Sequence, residues 1–131
     1  MTFNFSRVAA LIGGPLLIAV ETLRRRNQFG DIALWPVIFD DYLAGAFLFI
    51  AASIAKRAPE ARGRRYLAAA WGVGTGMMYG SFFSQLQHHR DADPSGVPVI
   101  AVLIVKGVGL LLCVAGLVGA LRSHRGSMGV S

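Results

Sequence analysis

The sequence predicts an all-α protein: a bundle of four transmembrane helices, with both termini in the cytoplasm and glycine-rich helix packing. Three observations carry this. Of the 131 residues, 54% are hydrophobic and only 15% are charged, against about 25% charged in an ordinary soluble domain. The apolar residues fall into four blocks, each near the ~20 residues that cross the hydrocarbon of a bilayer. The basic residues sit in short segments between those blocks, the pattern that orients membrane helices. A net charge of +6 would suit nucleic acid, but charges scattered over helix ends make no binding patch, so nucleic acid is set aside. The length suits one integral membrane domain over 1–131.

The first span is expected over 8–23. A signal peptide would show a small-residue cleavage site; here Glu21 and Arg24-Arg25-Arg26 follow the apolar run instead, which favours a mature span. Pro15 removes one helical hydrogen bond at mid-span and predicts a kink. A polar loop follows over 24–32. The second span, 36–55, opens on Pro36, a residue well suited to a first helical turn. An arginine-rich loop over 56–65 leads to the third span, 66–87. The third loop, 88–96, has turn chemistry at Asp93-Pro94-Ser95-Gly96. The fourth span covers 98–121, and the Gly- and Ser-containing tail from Arg122 reads as disordered. The one cysteine, Cys113, excludes an internal disulfide and reads as core packing.

Orientation follows from lysine and arginine. The amino terminus, second loop and tail hold eight of them, from Arg7 to Arg125, whereas the first and third loops hold four. The positive-inside rule then puts both termini in the cytoplasm. The Arg24–Arg26 triplet is the one departure from the rule. The expected location is the inner (plasma) membrane of a bacterium.

Eleven of the 16 glycines fall in the spans. Helices in lipid associate by close backbone approach, which small residues permit. Gly72, Gly76, Gly80 and Ser84 recur every four residues in the third span; Gly45 in the second span and Gly109 and Gly116 in the fourth extend the pattern. These residues are expected to pack helices within the bundle or between copies of the chain. The partners implied are the lipid bilayer and either a second copy or another membrane protein.

All four spans place polar groups near the outer surface. At ~1.5 Å per residue, Asp40 and Asp41 lie about one turn below it, and Lys106 is deeper but can reach outward along its own stem. A layer of Glu21, Asp41, Gln85, His88 and Lys106 results. Ionisable residues at that depth are costly, which points to a site that binds or moves an ion or small solute. Two other functions are weighed. A membrane enzyme would use Asp40, Asp41 and His88 as acid–base groups, and His88, His89 and Asp41 are weak candidates to hold a metal. An accessory subunit of a membrane complex needs no chemistry at all. No cofactor is indicated, and no HExxH or Cys/His metal spacing occurs.

Overall fold

A computed structural model describes residues 3–27, 29–91 and 96–122. The turn expected over Asp93–Gly96 lies, apart from Gly96 itself, outside the described residues, as do the tail beyond Arg122 and Gln28. All regular secondary structure among the described residues is helical: α1 (Phe3–Arg24), a short 3-10 turn (Ile32–Leu34), α2 (Trp35–Arg57), α3 (Glu60–Gln87) and α4 (Val99–Leu121). Three of these are long and apolar enough to cross a membrane: α1, α2 from Ile38 onward, and α4. The helix α3 has the length, 28 residues, but glycine, serine, threonine and tyrosine dilute its apolar content.

Every helix differs from its expected bounds by at least a residue at one end. The largest difference is at the start of α3, six residues before Tyr66. Pro59 occupies the cap position and Glu60 the first turn, where a carboxylate suits the positive end of the helix dipole. Alanine and arginine then favour helix over coil. The expected ten-residue loop therefore shrinks to Ala58 and Pro59, and Arg62, Arg64 and Arg65 ride on α3. Pro15 leaves α1 continuous from Phe3 to Arg24.

Short connections make neighbouring helices antiparallel. The start of α1, the end of α2, the start of α3 and the end of α4 share one end of the bundle, here the termini end. The opposite, far end holds the end of α1, the start of α2, the end of α3 and the start of α4. At the termini end the core is built of small residues against one large ring. Ala10, Ala51, Ala52, Ala55, Leu67 and Ala70 are buried around Trp71, which is 1% exposed. The Ser6 hydroxyl donates to the Gly116 carbonyl at 2.8 Å, and the Trp71 indole donates to the Ser6 carbonyl at 3.3 Å. This ties α1, α3 and α4 together. Gly116 leaves room for the Trp71 ring; any side chain there would overlap it. Arg64 donates to the carbonyls of Ala120 and Arg122, closing the end of α4.

The crossing of α1 and α2 rests on Gly14 and Gly45, each facing the other's carbonyl oxygen. By contrast, a side-chain carbon added at Gly72, Gly76 or Gly80 would meet nothing within 4 Å. That row, with Ser84, lies on the exposed side of α3, away from the other three helices. The buried side of α3 is instead Gly63, Leu67, Ala70, Trp71 and Gly74. The exterior of the bundle is apolar: Ile12, Leu16, Leu43, Ile104 and Leu111 are each more than half exposed. Such a surface suits hydrocarbon, not water.

Candidate functional site

The far end gathers charge. Glu21 sits in the last turn of α1, with Arg24 and Arg25 three and four residues on, so all three side chains fall on one helical face. Arg24 donates through both Nε and Nη2 to Glu21 Oε2, at 3.2 and 2.9 Å. Arg25 Nε donates to the same oxygen at 2.9 Å. The other prong of the Arg25 fork, Nη2, reaches Asp41 Oδ2 on α2 at 3.2 Å. A guanidinium fork normally grips the two oxygens of one carboxylate. Here it holds one oxygen from each of two, and so clamps α1 to α2. The side chains of Arg25, Glu21 and Arg24 are 13%, 14% and 16% exposed, and that of Asp41 is 25% exposed. Below them Thr22 donates to the Ile18 carbonyl at 2.7 Å, so the Tyr42 hydroxyl, 2.6 Å away, donates to Thr22.

On the other side of the bundle Lys106 Nζ donates to Gln85 Oε1 at 3.3 Å, joining α4 to α3. Glu21, Arg25, Asp41 and Lys106 then line one cavity of about 30 Å³, which runs down past Met78 to Cys113. That volume holds a water molecule or a small ion. Its wall offers carboxylate acceptors next to guanidinium and ammonium donors, a set that can solvate a small polar guest of either sign.

Of the five residues expected in the polar layer, the structure joins Glu21 with Asp41 through Arg25, and Gln85 with Lys106, and Glu21, Asp41 and Lys106 line the cavity. The fifth, His88, stands apart from them. It is exposed, and its Nδ1 lies 2.8 Å from the Ser84 carbonyl of its own helix end. His89 does the same with Leu86 at 2.8 Å, and Asp40 is exposed. Because α3 ends at Gln87, both imidazoles fold back over the helix terminus and neither lines the cavity that Asp41 lines. The acid–base arrangement of Asp40 or Asp41 with His88 is therefore not assembled. Among the described residues no three His, Cys, Asp or Glu side chains come together as a metal site would require.

The sequence reading left out Arg25 as the bridge. The spacing of Glu21 to Arg24 and Arg25 is visible in the chain, but the reach to Asp41 depends on the register of α1 against α2. Compared with known proteins, the chain matches no family model, no curated protein and no solved structure.

Proposed function

We propose that this is a four-span inner-membrane protein, with both termini cytoplasmic, that binds or moves an ion or small solute through the charged layer at the far end of the bundle. One observation carries the reading: Glu21, Asp41 and Lys106, from three different helices, line a single water-sized cavity, with both carboxylates held by Arg25. Ionisable groups are kept inside an apolar bundle at a cost, and a bound guest is the usual return on it. The surplus of lysine and arginine at the termini end supports the orientation.

The working unit is an oligomer. In a lone chain α3 would turn Gly72, Gly76 and Gly80 to lipid, leaving its backbone bare on that side. A second α3 laid along that row would cover it, by the close approach that small residues allow. The same exposed face is what favours the second reading, an accessory subunit whose α3 meets a different membrane protein.

Purified protein in liposomes, tested in turn with proton, potassium and chloride gradients, checks the function. Wild type should dissipate one gradient faster than empty vesicles, and the Asp41→Asn and Arg25→Gln variants should not. Wild-type vesicles as tight as empty ones to all three would overturn the reading. Co-purification of a stoichiometric second protein in mild detergent would support the accessory role instead.

A further inference from the structure

A second polar–apolar site lies at the opposite end of the molecule, on the outside. The last two turns of α2 and the start of α3 border a groove of about 560 Å³. Its floor is apolar: Phe49, Ile50 and Ile54, with Phe49 and Ile50 each close to half exposed. The Ser53 hydroxyl on the floor is spent on its own helix, donating to the Phe49 carbonyl at 2.9 Å. The rim nearest the termini end carries Arg57 and Arg62, both exposed. They stand on either side of the two-residue connection Ala58-Pro59.

No carboxylate lines this groove. Among the described residues Glu60 is the only acidic side chain at the termini end, and Arg64 holds its carboxylate. Among the described residues neither Arg57 nor Arg62 makes an ion pair. Lys56 and Arg65 add further exposed positive charge at the same level. The site therefore asks for a guest with an anionic head at the membrane surface and an apolar chain running along α2 toward the bilayer centre.

We propose that this groove binds an anionic phospholipid, its phosphate between Arg57 and Arg62 and one acyl chain on Phe49, Ile50 and Ile54. Charge complementarity selects the head, since a zwitterionic lipid brings its own ammonium group to a rim that is already cationic. The apolar floor selects a lipid over free phosphate. Basic pockets beside membrane helices on the positively flanked side hold anionic headgroups by the same physics. The proposal rests on the membrane-spanning disposition proposed above, but the groove shares no residue with the charged layer at the far end, so failure of the ion-binding reading leaves it intact.

The test is native mass spectrometry of the delipidated full-length chain in detergent, titrated with phosphatidylglycerol, phosphatidylcholine or glycerol phosphate. One phosphatidylglycerol should bind well before phosphatidylcholine does, and glycerol phosphate should not bind. Each arginine near an anionic headgroup is worth enough that Arg57→Gln with Arg62→Gln should weaken that binding by about 30-fold. The double change Lys56→Gln with Arg65→Gln removes the same charge outside the groove and should have little effect. Ser53→Trp, which fills the floor without altering charge, should also block binding, and it covers the case in which the arginine variant does not fold. Equal loss from both arginine and control pairs, equal affinity for the two lipids, or undiminished binding to Ser53→Trp would each overturn the proposal.

Discussion

Gly13 and Gly14 are neighbours on α1 and should respond in opposite ways to the same added methyl group. A Cβ at Gly14 would stand 2.5 Å from the Gly45 carbonyl oxygen and 3.0 Å from the Phe49 amide nitrogen, whereas one at Gly13 meets nothing within 4 Å. The atoms in the way at Gly14 are backbone, so no rotamer change relieves the clash. The helices must part by about 0.9 Å to restore an ordinary 3.4 Å contact. A gap of ~0.5–1 Å forfeits a quarter to a half of each dispersion contact it opens, and overpacking of this kind costs ~1–3 kcal/mol. Alanine returns ~0.5–1 kcal/mol of helix propensity at either position. Gly14→Ala should therefore lose about 1–2 kcal/mol of stability net, and Gly13→Ala should lose nothing or gain slightly. The single buried thiol, Cys113, provides the assay: a thiol-reactive dye in detergent reports unfolding during a thermal or SDS ramp. If the two variants melt together, or Gly13→Ala melts first, the α1–α2 crossing does not rest on Gly14 and Gly45.

The clamp at the far end makes a prediction that the same dye can read. Arg25→Gln leaves the Glu21 and Asp41 carboxylates facing each other and should cost about 2 kcal/mol, less than the ~3–5 of a fully buried pair because Asp41 is partly exposed. Asp41→Asn keeps Arg25 on Glu21 and should cost about half as much; the double variant should be milder than the sum, and additivity would show that the two side chains act independently. On the exposed row of α3, Gly76→Ile should leave the melting of the monomer unchanged while weakening self-association at least ~10-fold, as any bulky residue does at a small-residue seam. Dilution of dye-labelled protein in liposomes, followed by energy transfer, measures that, and unchanged transfer would mean that α3 does not meet a second copy along this face.

Helix number was legible because four apolar blocks alternate with polar punctuation, and punctuation is local. The start of α3 was misplaced because basic residues read as loop when they lie between apolar blocks, although arginine is a sound helix former and Pro59 marks the true boundary. The glycine row shows a deeper limit. Its four-residue spacing is plain in the sequence, but the side of α3 that faces the core is fixed by Leu67 and Trp71, which lie across the helix from it. Apolar residues occur all around α3, so periodicity alone does not assign its inner face. The charged layer was partly legible for a similar reason. Depth along each helix follows from counting residues, and counting placed Glu21, Asp41, Gln85 and Lys106 together. Which cation meets which carboxylate depends on how the helices are rotated and slid against one another, and Gly14 and Gly45 set that for α1 and α2. Two members of the Arg24–Arg26 triplet turn back from the loop: Arg24 and Arg25 both hold Glu21, and Arg25 also reaches Asp41.

The knot of Ser6, Trp71 and Gly116 closes the cytoplasm-directed half of the bundle, in the orientation proposed here, like the rivet of a pair of tongs. At the other end the helices are joined by charged and polar side chains around a water-sized cavity, not by a packed ring. If the charged layer binds a solute as proposed, the packed ring of Trp71 blocks its way through a single chain, and a route to the opposite compartment would have to run along the seam of the proposed oligomer.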